Sequence, residues 1–319
     1  MTTQTVHGAA SAAARDDRSI ARRPKGWTWR RRDAATAYLF IAPQVLGCLA
    51  FVVYPLVAVV WESFHATNLL SGVSTFTGVD NYAQLARDPV TPTVARVTLL
   101  FSAGLVLLNI SLALVLALLL NQRLRGTTAF RTIFFSPVVV TLVAWTIVWN
   151  FLLQDNGGIN SLLRILGSDG PNWLRGDTTA LLSVIVVQVL KNVGLNMVLF
   201  LAALQGVPAS LLEAAQIDGA GPWRRFRSIT LPMISPTVLL TSIITISGSL
   251  QVFAQIQILT GGGPANHTNV LVYYFYQQAF QNHDFGYGSA LAVVLFLIIL
   301  VLTLLQWRLR KRWVFLEQD

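Results

Sequence analysis

Charged residues are scarce in this chain of 319 residues: they make up 12% of it, while hydrophobic residues make up 54%. Soluble domains carry roughly 25% charged residues, so this chain cannot cover one or two soluble domains with a polar surface. A disordered chain is excluded too, because disordered chains are poor in apolar residues. The composition therefore indicates an integral membrane protein with short loops.

Cysteine, histidine and lysine are also rare. Cys48 is the single cysteine, which excludes a disulfide-rich scaffold. The four histidines are scattered along the chain and form no metal-ligand pattern. The phosphate-binding pattern G-x-x-x-x-G-K-[ST] does not occur. We therefore expect no enzymatic activity, no metal and no cofactor in this chain.

Long apolar stretches are abundant. A helix needs about 20 apolar residues to cross a bilayer, and six stretches approach or exceed that length. The sequence therefore predicts an all-α integral membrane protein with six transmembrane helices. These predicted spans cover approximately residues 36–61, 94–120, 132–153, 179–204, 236–260 and 286–307.

The basic residues are distributed unequally between the two sides of these spans. Eighteen of the 23 lysines and arginines lie in the two tails and in the loops after the second and fourth spans, and four lie in the opposite loops. Basic residues in short loops stay in the cytoplasm, so both termini are predicted to be cytoplasmic. The net charge of +9 then reflects topology and contact with anionic lipid, and we expect no nucleic-acid partner.

Three regions follow from this topology. Residues 1–33 are predicted to be a basic, disordered cytoplasmic tail, residues 34–312 a six-helix transmembrane domain, and residues 313–319 a C-terminal tail. The longest cytoplasmic loop covers residues 205–235. Within it, a short helix is expected from Pro208 to Ile217 and a second from Trp223 to Ile229, separated by glycines that break helices. Two short helices held between membrane helices form a rigid peg suited to a groove on a partner.

The same loop carries a spaced motif. Glu213-Ala214-Ala215, three residues, Gly219, nine residues and Ile229-x-Leu231-Pro232 give the pattern E-A-A-x3-G-x9-I-x-L-P. This pattern resembles the EAA loop of the permease subunits of binding-protein-dependent ABC importers. Other segments resemble the carbohydrate-uptake branch of that family, of maltose and glycerol-3-phosphate type. They are Tyr54-Pro55, Gly78-Val79-Asp80-Asn81-Tyr82, Arg131-Thr132-Ile133-Phe134-Phe135, Thr260-Gly261-Gly262-Gly263-Pro264 and Phe285-Gly286-Tyr287-Gly288-Ser289-Ala290.

The resemblance implies the type I ABC importer permease fold in a bacterial-type inner membrane. The chain would form half of the pathway for a sugar, expected to be a disaccharide or an oligosaccharide. The implied partners are a second homologous permease, an ABC ATPase dimer that carries ATP and Mg, and an extracytoplasmic solute-binding protein. The EAA loop would be the coupling helix that contacts the ATPase. The residues implied in that contact are Glu213, Ala214, Ala215, Asp218 and Gly219.

The fourth and fifth predicted spans carry most of the polar residues within the membrane. Polar side chains there face a cavity or a neighbouring helix, and amides and hydroxyls suit the hydroxyl groups of a sugar. The candidate pathway residues are Asn192, Asn196, Ser249, Gln251 and Gln255. The alternative is that these residues hydrogen-bond one helix to another. For Lys191, pairing with a carboxylate of a neighbouring subunit and contact with an anionic substrate both remain open.

Other functions stay possible at this point. Within the same family the cargo could be glycerol-3-phosphate or another polyol or glycoside. An ion-coupled secondary transporter would be expected to hold an acidic residue deep in a span, and none of the 14 acidic residues lies there. A membrane-embedded enzyme would need clustered histidine, aspartate or serine residues, and no such set stands out.

Overall fold

The computed structural model describes residues 27–68, 70–122 and 126–313. The chain divides into two units, residues 1–56 and 57–319. In the first, helix α1 (Trp27–Cys48) leads through a π-helical turn (Leu49–Val53) into the start of α2 (Tyr54–Glu62), whose residues from Val57 onward belong to the second unit. The first helix thus begins inside the segment predicted as a tail, and residues 1–26 of that tail lie outside the described residues.

The described residues of the second unit are mostly helical. Its longer helices are α4 (Val90–Leu120), α5 (Thr127–Val139), α6 (Leu142–Leu153), α8 (Thr179–Gln205), α12 (Ser235–Ser249) and α15 (Phe285–Trp313). Its shorter helices are α3 (Asp80–Arg87), α7 (Gly158–Ile165), α9 (Ala209–Ile217), α10 (Pro222–Arg225), α11 (Leu231–Met233), α13 (Ala254–Leu259) and α14 (Leu271–Tyr276).

Four described segments are long and apolar enough to cross a membrane by themselves. They are Thr36–Glu62, Val90–Leu120, Thr179–Gln205 and Phe285–Arg308. Two bent pairs raise the number to six if each pair counts as one span. The first pair joins Thr127–Val139 to Leu142–Ile165 at 104°, and the second joins Pro222–Met233 to Ser235–Ser249 at 68°.

The third predicted span, 132–153, is therefore not one continuous helix. Pro137 has no N–H to donate to the Ile133 carbonyl, and the Ser136 hydroxyl donates to that carbonyl instead at 2.8 Å. The chain then becomes extended, with ψ of 137° at Val140 and 147° at Thr141, before α6 begins. The fifth predicted span, 236–260, is also interrupted, because α12 ends at Ser249 and α13 begins only at Ala254.

Helix α8 lies at the centre of the second unit. Fifteen of its 27 residues are buried, and it packs against α4, α5 and α12. Helices α4 and α8 run parallel, because Gly104 faces Ile185 and, further along both helices, Asn109 bonds Asn196. The loops that follow α4 and α8 consequently leave the bundle at the same end.

A small hairpin departs from the expected all-α fold. Strands β1 (His65–Thr67) and β2 (Ser74–Phe76) pair antiparallel, with His65 opposite Phe76. The amide of Asn81 donates to the carbonyls of Ser63 and His65 at 2.8 and 2.9 Å, which fixes the hairpin to α3. A Cβ on Gly286 would overlap the His65 carbonyl oxygen. The glycine thus allows α15 to start directly against the hairpin.

Candidate coupling loop and intramembrane polar residues

The coupling loop, residues 205–235, folds as two short helices with a defined turn between them. Helix α9 ends in a Schellman motif: the Gly219 N–H donates to the Gln216 carbonyl at 3.1 Å, and the Ala220 N–H donates to the Ala215 carbonyl at 2.9 Å. Gly219 has φ of +77°, a left-handed conformation that glycine adopts without strain. The glycine of the motif therefore has a local backbone role.

The second helix is attached to the first by side chains. The Arg225 guanidinium donates to the Gln216 amide oxygen at 2.9 Å, and the rings of Trp223 and Phe226 lie 5.6 Å apart. Helix α10 covers only Pro222–Arg225, and the segment expected to complete it is a π-helical turn over Phe226–Thr230. The two short helices and the turn at Gly219 form the peg that the sequence predicts.

The peg presents apolar side chains to solvent. Ile217 is 87% exposed and Trp223 is 71% exposed, and Leu211 is exposed beside them. Of the motif residues, Glu213, Ala214, Asp218 and Gly219 are exposed and Ala215 is half-buried. Large exposed apolar side chains rimmed by charge are typical of a surface that a partner covers.

The buried polar residues of α8 are paired with neighbouring helices. The Asn196 amide donates to Asn109 of α4 and, at 3.2 Å, to Thr245 of α12. The Gln255 amide of α13 donates to Gln188 of α8. Asn109 is not among the predicted site residues. A lone amide within an apolar run, which indicates a buried polar contact, could have identified it. These bonds tie three helices to α8.

The other three candidate pathway residues are placed differently. Ser249 is buried, and its hydroxyl donates to the Ile246 carbonyl at 2.7 Å. Gln251 is exposed and its amide donates to the Ser247 carbonyl at 3.0 Å. Asn192 is half-buried, one turn of α8 from both Gln188 and Asn196. Asn192 and Gln251 thus keep more of their surface open than Asn196, Gln255 or Ser249.

Lys191 is held by backbone carbonyls of the third span. Its ammonium group donates to the carbonyl oxygen of Pro137 and, at 2.5 Å, to that of Val140, and it lies 3.4 Å from that of Val138. Its side chain is buried. The partner of this lysine within the described residues is therefore the end of α5.

A second polar cluster, which the sequence did not suggest, lies at the start of α4. One carboxylate oxygen of Asp88 accepts hydrogen bonds from the hydroxyl groups of Tyr274 and Tyr287, the second at 2.8 Å. The other oxygen accepts from the Val90 N–H at 2.9 Å. Burial raises the pKa of Asp88, but these bonds, led by the one from Tyr274, outweigh it and hold the pKa below its ordinary value. Burial and the bond to Asp88 raise the pKa of Tyr274.

Because the pKa of Asp88 is lower in the folded chain, its ionised form stabilises the fold at pH values above the ordinary value of 3.8. That contribution is lost as the pH falls through the lower, folded-state pKa. We expect Asp88→Asn to reduce the acid dependence of thermal stability of the purified chain in detergent, measured from about pH 6 down to about pH 3. Asp80→Asn, on the exposed start of α3, is the matched control and should leave that dependence intact. An unchanged curve for Asp88→Asn would contradict this account of the cluster.

Comparison with known proteins identifies the family. Residues 109–314 match the family described as binding-protein-dependent transport system inner membrane component, so the chain belongs to that family and is a membrane-embedded permease subunit. It is 34% identical to the probable ABC transporter permease protein YurN of Bacillus subtilis, with 86% of this chain and 95% of the relative covered. It is 32% identical to the sn-glycerol-3-phosphate transport system permease protein UgpA of Yersinia pestis, over 86% of this chain and 94% of the relative.

Two further comparisons extend over more of the chain. The arabinooligosaccharides transport system permease protein AraP of Bacillus subtilis is 34% identical, with 96% of each chain covered. A chain of a bacterial alginate ABC transporter, crystallised with its alginate pentasaccharide-bound periplasmic protein, has a TM-score of 0.78 at 22% identity, covering 90% of this chain and 98% of that chain. That structural likeness shows a shared fold.

Proposed function

We propose that this chain forms half of the translocation pathway of an ABC importer for a neutral disaccharide or oligosaccharide. In this proposal it crosses the inner membrane six times with both termini in the cytoplasm, and each bent pair counts as one span. A second homologous permease completes the pathway, an extracytoplasmic binding protein delivers the sugar, and a separate ATPase dimer supplies the energy. In this proposal the ATPase dimer, and not this chain, carries the catalytic groups and the nucleotide.

The observation that carries the proposal is the exposed peg of α9 and α10. Ile217 and Trp223 present apolar surface on a loop between membrane helices, within a motif whose resemblance to the EAA loop implies contact with the ATPase. In the proposed contact, Ala214 and Ala215 permit close approach, Glu213 and Asp218 pair with cations of the ATPase, and Gly219 sets the angle. The parallel course of α4 and α8 supports a common cytoplasmic side for the loops that follow them, which carry most of the loop arginines.

One observation favours a neutral sugar over a phosphate ester. The names of the relatives do not decide between them, because AraP is named for arabinooligosaccharides and UgpA, at similar identity, for sn-glycerol-3-phosphate. Lys191, the one lysine of α8, already donates to carbonyls of the third span, so it is not free to bind a phosphate. We propose Asn192 and Gln251 for contact with the sugar. Asn196 and Gln255 serve mainly to join helices, and Ser249 bonds within α12.

A single charge on the peg tests the proposed ATPase contact. We expect Ile217→Asp to reduce at least tenfold the amount of ATPase that co-purifies with the detergent-solubilised permease, because a carboxylate would be buried without a partner. Ile165→Asp is the matched control, since Ile165 is 81% exposed on α7, outside the peg. Full ATPase recovery with Ile217→Asp would reject this surface as the docking site.

Uptake measurements separate the cargo classes. With its binding protein present, the complex should accumulate labelled neutral oligosaccharides and not labelled glycerol-3-phosphate. The reverse preference would favour the glycerol-phosphate alternative and would leave the ATPase contact untouched.

A further inference from the structure

The end of helix α5 carries carbonyl groups that need a donor. The last four carbonyls of a helix have no partner within it, and they carry partial negative charge. Here α5 ends at Val139 and the chain turns through extended residues into α6. This break lies within an apolar pair of helices, where an unpaired carbonyl costs several kcal/mol.

Lys191 supplies donors at this break from a different helix. Its ammonium group has three protons, and three carbonyl oxygens lie around it, those of Pro137, Val138 and Val140. A cation beside the C-terminal end of a helix is also favoured by the helix dipole. The lysine therefore stabilises the exposed end of α5 and attaches it to the middle of α8.

A second contact fixes the same two helices one turn further along α8. A Cβ on Gly194 would overlap the carbonyl oxygen of Phe134 and would lie 3.0 Å from the Cα of Phe135. The backbones of α5 and α8 are thus in direct contact. Glycine in helix interfaces permits this close approach in membranes. Lys191 and Gly194 are three residues apart and act on the same part of α5.

Helix α8 also leads directly into the coupling loop. It ends at Gln205, and α9 begins at Ala209. A displacement of α9 is therefore transmitted first to α8, and from α8 to whatever is rigidly attached to it. The bent third span is attached through Lys191 and the Gly194 contact.

We propose that Lys191 is a positioning residue that makes the break between α5 and α6 move together with α8, so that displacement of the coupling loop reaches the third span. This inference rests on the proposed function, because it assumes that an ATPase moves the loop. It assigns to Lys191 a mechanical role in place of contact with an anionic cargo or with a neighbouring carboxylate.

Spin labels can test whether α5 and α8 move together. With Cys48 replaced by serine, labels are placed at Phe135 and Leu195, which flank the Gly194 contact and are both partly exposed. Their dipolar coupling is measured in the assembled complex, without nucleotide and with ATP trapped. With Lys191 present we expect the same narrow distance in both states. With Lys191→Met we expect a broadened or state-dependent distance and about tenfold slower ATP-driven uptake, with the ATPase still bound.

Gln188→Leu is the matched control, because it removes another buried polar contact of α8, the one to Gln255, and leaves the contacts to α5 in place. It should keep the narrow, state-independent distance. A distance that changes with nucleotide while Lys191 is present would overturn the proposal, and so would Lys191→Met with unchanged coupling or with normal uptake. Failure of the unsubstituted permease to bind an ATPase would instead reject the proposed function.

A cross-link provides a test that does not require the lysine to be replaced. Cysteines at Phe135 and Leu195, joined by a short bismaleimide, should leave most ATP-driven uptake intact, because the two sites keep their separation. Single-cysteine variants treated with the same reagent control for labelling. Loss of uptake only in the cross-linked pair would show that α5 and α8 must separate, which contradicts the proposal.

Discussion

Gly219→Val is expected to lower ATP-driven uptake about tenfold while the chain still reaches the membrane. Gly219 has φ of +77°, and this conformation costs a residue with a side chain roughly 1–2 kcal/mol of free energy. A cost of about 1.4 kcal/mol reduces the population of the required turn tenfold. The turn sets the angle between α9 and α10, so the peg would present its apolar residues incorrectly to the ATPase.

Gly221→Val is the matched control for this substitution. Gly221 lies two residues further along, has φ of −65°, and has no neighbouring atom within 4 Å of the position that a Cβ would occupy. Valine fits such an extended backbone without strain. Uptake by Gly221→Val should be close to that of the unsubstituted protein. Equal loss in both variants would mean that the loop tolerates no side chain here and that the left-handed turn is not the reason.

Gly194→Ala is expected to have the largest effect on stability. The new methyl group would overlap the Phe134 carbonyl oxygen, and a backbone atom cannot rotate away as a side chain can. Overpacking of this kind costs up to about 3 kcal/mol. At about 2–4 °C per kcal/mol, the denaturation temperature of the chain in detergent should fall by roughly 6–12 °C.

Gly104→Ala makes the matched comparison within α4. There the nearest atom is the terminal methyl carbon of Ile185, at 3.0 Å, and that methyl can move with a change of rotamer. The denaturation temperature should therefore change by only a few degrees, about 2–4 °C. A fall as large as that of Gly194→Ala would indicate that any added methyl group at a helix contact destabilises the chain equally. The backbone contact between α5 and α8 would then not be the cause of the effect of Gly194→Ala.

The coupling loop could be predicted from the sequence because its information is local. The motif residues, the prolines and the glycines lie within one short segment, and the observed helix, the left-handed Gly219 and the second helix follow from local preferences. The regular spacing of the amide side chains of α8 can also be recognised in the sequence. Their partners cannot, because Asn109 and Thr245 belong to other helices and only the packing brings them to Asn196.

The breaks in the third and fifth spans were harder to predict, because an apolar run has the same composition whether it is straight or bent. Pro137 indicates an interruption of the helix, but not the bend of 104°. The carbonyls at the break are bonded by Lys191, which lies 51 residues beyond Val140 in the chain. The cluster around Asp88 could not be predicted from the sequence either, because Tyr274 lies 186 residues away from Asp88. Contacts at such separations are determined by tertiary structure.

The central claim is that a separate ATPase, acting on the α9–α10 peg, drives transport through this subunit. The most direct test is uptake of labelled oligosaccharide by proteoliposomes that contain both permeases, the ATPase and the binding protein. We expect accumulation only when ATP is supplied on the side to which the peg is exposed, and none when the ATPase is left out. Accumulation without the ATPase, driven by a proton or sodium gradient, would contradict the account.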